Sequence, residues 1–178
     1  MERRNKEEAR LQQQLLPNNM ARRGSPKPRV IEGDPIYNSP MLSKLVNRSM
    51  KDGKKSVAQK EIYEAFEIIK EKTSEDPLKI FNQALENVRP SMEVRPRRVG
   101  GAAYQVPMSV RGSRKDTLAI RWIVEGARSK SNNEYHTFAE KLSAEIIDAA
   151  NNAGVAYKKK TDMERTAEAN RAFAHFRW

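Results

Sequence analysis

Hydrophobic residues recur at helical spacing along most of the chain after residue 33, and this period predicts three amphipathic helices before residue 91. Apolar side chains three or four positions apart fall on one face of a helix, where they can pack into a shared core. The predicted core positions are Leu42, Leu45, Val46 and Met50 in the first helix, Ile62, Phe66 and Ile69 in the second, and Leu78, Phe81, Leu85 and Val88 in the third.

Residues with known capping preferences mark the ends of these helices. Gly53 follows the first helix and is a favoured C-terminal stop. Ser56 is predicted to cap the second helix through its side-chain oxygen. Asp76 is predicted to cap the third, with Pro77 at the first helical position, and Pro90 follows the end of that helix.

The helical period returns after residue 115 and predicts two or three further helices, over 116–130, 134–154 and 155–178, with Gly154 as a stop between the last two. The fold class is therefore mainly α, a bundle of about six helices interrupted once. The predicted core positions are Leu118, Ala119, Trp122 and Ile123, then Phe138, Leu142, Ile146 and Ala149, then Met163, Ala167 and Phe173 or Ala174.

The interruption lies at about 91–110, where a two-residue period replaces the helical one and predicts a β-hairpin. A two-residue loop, Gly100–Gly101, would place Arg95 opposite Val106 and mix polar with apolar residues on both faces. A three-residue loop ending at Ala102 collects the apolar residues on one face, with Val94 opposite Met108, Met92 opposite Val110 and Arg98 opposite Tyr104. We predict the three-residue loop.

The same region is strongly basic, because residues 95–115 contain six Arg or Lys and no Asp or Glu. The two prolines in the predicted strands cannot donate to a ladder, which suits a two-stranded ribbon with free outer edges. Guanidinium groups bind phosphate through two parallel hydrogen bonds, and a tyrosine in the ribbon can stack on a base. A surface hairpin that is merely solvated is the alternative.

The composition of the 178-residue chain narrows the function further. Its 34 Lys and Arg against 23 Asp and Glu give a net charge of +11 and a pI near 9.9, which favours a polyanionic partner. No apolar run approaches the roughly 18–20 residues of a membrane span, so no membrane partner is expected. The absence of cysteine and the presence of only His136 and His175 leave few residues for catalysis or metal binding, and we expect no cofactor and no metal.

Two other basic segments are candidate contacts. Residues 1–33 are predicted to form an extended or disordered basic tail ahead of a single helical domain at 34–178, and a purely solubilising tail is the alternative. The segment "GKKS" at 53–56 lacks the earlier glycine of a phosphate-binding loop, since Arg48 stands in that place. Lys54 and Lys55 remain plausible phosphate contacts near a helix N-terminus.

Four longer segments resemble the small-subunit ribosomal protein seven family of bacteria and organelles. They are "RPRRVGGAAYQVP", "DPIYNSPMLSKLVNRSMKDGKKSVAQ", "LAIRWIVEGAR" and "AEANRAFAHFRW". The resemblance covers residues 20–178 nearly continuously and leaves residues 1–19 outside. It implies a bundle of about six helices with a protruding β-ribbon.

The resemblance further implies a structural protein without enzymatic activity. It implies that the chain binds the 3′ major domain of small-subunit rRNA, nucleates assembly of the subunit head, and lines the path of exit-site tRNA and mRNA. Its implied neighbours are ribosomal protein eleven and, also in the head, ribosomal proteins nine and thirteen. The implied location is the bacterial cytoplasm, with an organellar ribosome as the alternative.

Carried onto this sequence, the resemblance implies two sets of site residues. The residues implied to bind rRNA are Arg22, Arg23, Lys27, Arg29, Lys54, Lys55, Arg95, Arg97, Arg98, Arg111, Arg114 and Lys115. The residues implied to lie near tRNA or mRNA are Val99, Gly100, Gly101, Ala102, Tyr104, Arg171, Phe173 and His175.

Two functions from other classes compete with this interpretation. An architectural DNA-binding protein can also grip a minor groove with a basic ribbon, although no wedge residue stands at the tip predicted here. A nuclease would need clustered carboxylates that hold a metal. Competition between rRNA and duplex DNA for the chain distinguishes an RNA-binding protein from the DNA-binding alternative. An assay for metal-dependent cleavage tests the nuclease alternative.

Overall fold

Residues 30–176 are described by the structure, a computed structural model, and they contain six α-helices, one β-ribbon and one 3-10 helix. The helices are α1 (Pro40–Ser49), α2 (Lys55–Thr73), α3 (Pro77–Val88), α4 (Ser113–Ser129), α5 (Phe138–Ala150) and α6 (Gly154–Ala169). The strands β1 (Met92–Val99) and β2 (Ala102–Ser109) lie between α3 and α4, and the 3-10 helix (Arg171–Phe176) follows α6. The mainly α fold with one hairpin is confirmed, whereas the predicted basic tail lies outside the described residues except at its C-terminal end.

The helices bury one continuous core, and α5 lies at its centre in contact with α2, α3, α4 and α6. The described residues from Glu32 onward form one compact unit. Most of the predicted core positions are buried, whereas Met50, Leu78, Phe138 and Met163 lie half-buried at the edge of the core. The prediction of Phe173 or Ala174 as a core position is wrong, because both are half-buried in the 3-10 helix outside this core. The largest apolar side chains excluded from solvent are Phe66, Phe81, Leu42, Leu45, Ile62, Ile69, Leu85, Ile123, Leu142 and Ile146. None of the helices in this part of the chain combines the length and the apolar composition that a membrane crossing requires.

Side-chain caps begin three of the helices. Asp76 accepts a hydrogen bond from the backbone N–H of Leu78 at 3.2 Å, which confirms the predicted cap of α3. Ser39 caps α1 in the same manner. Thr137 and Glu140 form a reciprocal capping box at the start of α5, and the backbone hydrogen bonds that Glu140 accepts lower its pKa.

The predicted boundaries around residue 53 are wrong. Helix α1 ends at Ser49, and α2 begins at Lys55 with Lys54 at the N-cap position and no side-chain cap, so Ser56 is helical rather than a cap. Asp52 and Gly53 both have positive φ, 52° and 73°, and form the turn between the two helices. The turn starts earlier than the glycine because Asp tolerates the left-handed region better than most residues.

The last predicted helix is also divided differently. Gly154 begins α6 instead of ending α5, and the preceding turn places Asn152 at φ 58°. Helix α6 ends at Ala169, where the Asn170 side chain donates to the carbonyl of Thr166 at 2.8 Å. The chain then tightens into the 3-10 helix, which packs against β2.

The ribbon has the two-residue loop, and the predicted three-residue register is wrong. Arg95 lies opposite Val106, Val94 opposite Pro107, Met92 opposite Ser109 and Arg98 opposite Ala103. Gly100 and Gly101 have φ of 58° and 89°, and a two-residue turn with positive φ at both central positions matches the twist of the strands it joins.

The alternation of apolar residues misled the prediction because both faces of the ribbon are covered at its base. Val106 and Pro107 are consecutive residues and therefore point to opposite faces, yet both are buried. Helix α6 contacts both strands and the 3-10 helix contacts β2. The predicted register assumed that only one face of the ribbon is covered, so that one face would be apolar and the other polar. In this molecule both faces are covered at the base of the ribbon.

Candidate nucleic-acid interface

The tip of the ribbon stands clear of the rest of the described chain. Gly100, Gly101 and Ala102 are exposed, and a Cβ atom added at either glycine would meet nothing within 4 Å. Val99 is half-buried beside them. The backbone at the tip is therefore open to close approach by another molecule.

Two arginines just below the tip are free of acidic partners. Arg98 is exposed and Arg97 half-buried, and neither makes an ion pair with another residue of the described chain. Arg97 lies opposite Tyr104 in the ribbon ladder. An unpaired guanidinium keeps its planar array of donors for an external anion such as phosphate.

Two other predicted arginines share one buried carboxylate. Glu93, whose side chain is 5% exposed, accepts from the Nε of Arg95 at 2.6 Å and from the Nε of Arg114 at 2.7 Å. Arg114 is the second residue of α4 and lies 21 positions away in sequence, so the contact joins the ribbon to the helix that follows it.

The segment between β2 and α4 places further cations beside this pair. Arg111 and Lys115 make no ion pair within residues 30–176, and Arg111 is exposed while Lys115 is half-buried. Gly112, with φ 53°, turns the chain into α4. A groove of about 380 Å³ at the ribbon base is lined by Glu93, Arg95, Met108, Ser109, Arg111 and Arg114.

Aromatic residues bring the C-terminal segment onto the ribbon. The Tyr104 ring lies 5.2 Å, centroid to centroid, from both Phe173 and Phe176. His175 contacts Phe176 and has its Nδ1 2.8 Å from the carbonyl oxygen of Ala172. The sequence prediction placed Tyr104, Phe173 and His175 in one set, and the structure brings the three into one cluster.

Arg171 lies apart from that cluster. It lines a groove with Met92 and Pro107 at the base of the ribbon, and its guanidinium pairs with Glu168 at 3.1 Å. In the same region Glu164 accepts from both the backbone N–H and the hydroxyl of Ser91, at 2.9 and 2.8 Å. Helix α6 thereby holds the start of β1.

Lys54 and Lys55 belong to a second basic region on the helical bundle. Both are exposed, and Lys54 lines a groove with Lys51, Arg128, Val57 and Phe138. Arg128 donates to the backbone carbonyl of Ser49 at 3.0 Å. None of the residues that line this groove comes from the ribbon, so the predicted set divides into two separate regions.

Sequence reasoning missed Lys51, Arg128 and Glu93. Lys51 could have been found as the third lysine of the turn that contains Lys54 and Lys55. Arg128 is brought to this groove by the packing of α4 on α1, for which the sequence carries no signal. The remaining predicted residues, Arg22, Arg23, Lys27 and Arg29, lie outside the described residues.

The described residues contain no group of three or more His, Asp or Glu side chains placed to hold a metal ion. The cations of both regions are guanidinium and ammonium donors, and each groove also has one carboxylate in its lining, Glu93 at the ribbon base and Glu61 on the helical bundle. Such donors recognise phosphate groups, and the nearby tyrosine and phenylalanine rings offer surfaces on which bases stack.

Comparison with known proteins points the same way. The family model described as "Ribosomal protein S7p/S5e" matches residues 21–171. A protein of Thermoanaerobacter sp. (strain X514) named "Small ribosomal subunit protein uS7" is 58% identical over 159 residues, which cover 89% of this chain and all of the relative. Proteins of the same name from Thermosipho africanus and Thermosipho melanesiensis are 59% and 60% identical, over 88% and 84% of this chain and 99% and 95% of their own length.

Proposed function

We propose, from the premise that this chain belongs to the ribosomal protein S7p/S5e family, that it binds the 3′ major domain of small-subunit rRNA and nucleates assembly of the subunit head. We further propose that it lines the path of exit-site tRNA and mRNA, in a bacterial cytoplasmic ribosome. The coarser role follows from membership itself: the chain is a structural, non-enzymatic protein of the small ribosomal subunit, and rRNA is its partner.

The observation that carries the proposal is the ribbon, which presents unpaired guanidiniums below an open glycine tip. Folded RNA is recognised through phosphate positions, 2′-hydroxyl groups and splayed bases, rather than through a deep groove that a helix could enter. A narrow two-stranded ribbon with Arg97 and Arg98 near its end can reach between RNA helices and neutralise phosphates there.

The second basic region supplies a separate point of attachment. Lys51, Lys54 and Arg128 line a groove together with the apolar Val57 and Phe138 and with one acid, Glu61, and its three cations outnumber that acid, so a phosphate and an unstacked base could be held together. Two attachment points on a rigid helical bundle would fix the relative orientation of the RNA segments they bind. That is the physical requirement for a protein that begins the assembly of an RNA domain.

The tip and the aromatic cluster are the parts proposed to lie near tRNA and mRNA. Glycines at the tip present backbone without side chains, which permits close approach to a sugar-phosphate chain. Phe173 and His175 would face the same ligands or the neighbouring ribosomal protein eleven. Ribosomal proteins nine and thirteen are the further neighbours proposed in the head.

The first test compares charge reversal on the ribbon with the same change elsewhere. Arg97→Glu with Arg98→Glu removes two phosphate contacts, so the slope of log affinity against log salt for a 3′-domain rRNA fragment should fall by roughly 1.5 in magnitude. Lys70→Glu with Lys72→Glu, on an exposed turn of α2, is the matched control and should leave the slope nearly unchanged. Equal effects of the two variants would remove the ribbon from the interface.

A second measurement addresses the choice of nucleic acid and the position of the tip. The chain should prefer the rRNA fragment to duplex DNA of the same length at physiological salt, and an architectural DNA-binding protein would show the reverse.

A photoreactive residue in place of Ala102 should crosslink to exit-site tRNA or mRNA in assembled subunits. Crosslinks confined to rRNA would limit the ribbon to rRNA binding.

A further inference from the structure

We infer that Glu93 is a positioning residue, whose buried carboxylate holds Arg95 and Arg114 in place so that they bind one backbone phosphate of RNA at the base of the ribbon. The inference rests on the proposed function, because it assumes that RNA binds this surface. It adds an acidic residue, absent from the predicted set, to the binding machinery.

Each oxygen of the Glu93 carboxylate accepts from a different arginine. Oε1 of Glu93 lies 2.6 Å from both the Nε and the Nη2 of Arg95, and Oε2 lies 2.7 Å from the Nε of Arg114. The Glu93 side chain is 5% exposed, whereas the side chains of Arg95 and Arg114 are 48% and 51% exposed. The carboxylate is thus at the bottom and the guanidiniums extend from it toward solvent.

Each guanidinium keeps donors for a second anion. Arg114 uses its Nε in the contact, and the described residues provide no partner for its terminal nitrogens. Arg111, which has no ion pair among residues 30–176, and the hydroxyl-bearing Ser109 line the same groove. Three guanidiniums and one carboxylate leave this groove with net positive charge, and their fork geometry matches phosphate oxygens.

A carboxylate in a phosphate-binding groove would be unfavourable if its charge alone mattered, because it repels the ligand. Burial of the Glu93 carboxylate under two guanidiniums adds a favourable effect that offsets this repulsion. Arginine side chains are long and lose rotamer freedom on binding, and a side chain that is already held loses less. Glu93 therefore improves binding by pre-orienting the arginines, at the cost of part of their net charge.

Removing the negative charge of Glu93 distinguishes a positioning role from a purely electrostatic one, because the two roles predict opposite changes in RNA affinity. If Glu93 only adds negative charge to the surface, Glu93→Gln should tighten rRNA binding. If Glu93 positions the arginines, Glu93→Gln should weaken binding by about 5- to 30-fold, as expected when two rotamer-rich side chains that were already held must instead be ordered on binding. Asp162→Asn on α6, where the one ion pair of Asp162 among residues 30–176 is with the exposed Arg165, measures the electrostatic gain and should bind as tightly as the unchanged chain or slightly tighter.

A double-mutant cycle shows whether the effect passes through the arginines. In a chain that carries Arg95→Gln and Arg114→Gln, the further change Glu93→Gln should cause no additional loss. An equal loss in both backgrounds would mean that Glu93 only maintains the fold of the ribbon. Arg114→Lys keeps the charge but not the fork and should also weaken binding. If Glu93→Gln fails to fold, an unchanged affinity of Arg114→Lys would still remove Arg114, and with it the role of Glu93, from the phosphate site.

The full chain and a 3′-domain rRNA fragment serve in every measurement, with thermal unfolding as the folding control. Failure of the unchanged chain to bind the fragment would overturn the proposed function. Binding by the unchanged chain, with Glu93→Gln and Arg114→Lys equal to it or tighter, would overturn this inference alone.

Discussion

Glu145 is a buried acid at the contact of three helices, and it restricts the residues that can stand around it. Its side chain is fully buried in α5, and Oε1 accepts the backbone N–H of Ala156 in α6 at 2.8 Å. Oε2 lies 3.3 Å from the Nζ of Lys130. Burial by itself lowers the pKa of Lys130, but Asp148 and Glu145 outweigh it and raise that pKa above its usual value.

Gly126 in α4 faces this carboxylate, and Gly126→Ala should destabilise the protein. A Cβ atom there would lie 2.5 Å from Oε1 of Glu145, which cannot withdraw without giving up its bond to Ala156. Helix propensity alone predicts a gain of about 1 kcal/mol for this change, whereas overpacking predicts a loss of about 1–3 kcal/mol. Chemical denaturation measures whether the free energy of unfolding falls or rises, and Thr117→Ala at an exposed site of α4 is the control. A more stable Gly126→Ala variant would contradict the packing described.

Tyr63 donates to the buried carboxylate of Asp34, at 2.9 Å to Oδ1 and 3.1 Å to Oδ2. Tyr63→Phe should therefore cost about 1.5–3 kcal/mol, the range for a hydrogen bond to a charged group. Tyr157→Phe is the control, because the Tyr157 hydroxyl makes no hydrogen bond to another described residue, and it should cost less than about 0.5 kcal/mol.

The stabilisation that the Tyr63–Asp34 hydrogen bond contributes is expected to decrease at high pH. Burial and the hydrogen bond to Asp34 raise the pKa of Tyr63 to about 12, above its ordinary value of 10.0. A raised pKa in the folded state means that the stabilisation is fully present below pH 10.0 and is lost as the pH rises toward 12. The difference in unfolding free energy between the unchanged chain and Tyr63→Phe should be constant below pH 10 and shrink above it. A difference that grows with pH would contradict this assignment.

Among the elements, the ribbon depends on its turn. Gly100 and Gly101 have no neighbours within 4 Å of an added Cβ, so substitution there acts through backbone conformation and not through steric clash. Gly101→Val places a β-branched residue at φ 89° and should cost about 1–2 kcal/mol or more, which loosens the paired strands. Gly100→Asn should be nearly neutral, since Asn is favoured at the first central position of this turn.

Amide hydrogen exchange of the ribbon checks this prediction. Gly101→Val should lower protection at Arg95 and Val106, which lie opposite each other, while Ile123 and Ile146 in the core keep theirs. Full protection of the ribbon in Gly101→Val would show that the contacts of Tyr104 with Phe173 and Phe176, and not the turn, hold the strands together.

Across the whole molecule, a net charge of +11 makes binding to RNA sensitive to salt. Replacing Arg22, Arg23, Lys27 and Arg29 with Gln should lower the salt slope of rRNA binding by roughly 3, if each contacts one phosphate. The melting temperature should not change, because the described core is built from residues between Leu42 and Ala156. Gln at Lys60, Lys70, Lys72 and Lys79, four exposed lysines, is the matched control. Equal slopes in the two variants would support a purely solubilising tail.

Local signals were sufficient for the existence of the helices and of the ribbon, although not for every helix boundary. The apolar stripes of α2, α3 and α5 were predicted correctly because a helical period places those side chains on one face whatever packs against it. The cap of α3 by Asp76 was also correct, since the cap and the N–H it accepts are two residues apart. The loss of the helical period at 91–110 was enough to predict a hairpin, which spans Met92–Ser109.

Within the candidate site, the sequence identified most of the cations but not their partners. Arg95 and Arg97 belong to one short segment, and the sequence treats them alike. In the structure Arg95 is paired with Glu93, whereas Arg97 makes no ion pair with a described residue. Arg114 reaches Glu93 only because α4 begins beside the ribbon base. The Glu93–Arg95 pair spans only two residues, whereas the Glu93–Arg114 pair spans 21, so the position of α4 in the tertiary structure completes the cluster.

The sequence by itself determined the helical periods, the hairpin with glycines at its tip, the basic charge and the resemblance to a family, because each depends on residues close together or on simple totals. Tertiary structure alone decided the register of the ribbon, the burial of Glu93 beneath two arginines, and the cluster of Tyr104 with Phe173. The ribbon shows the reason most directly: its strands alternate, but α6 and the 3-10 helix cover it at the base, so alternation no longer distinguishes a buried face from an exposed one.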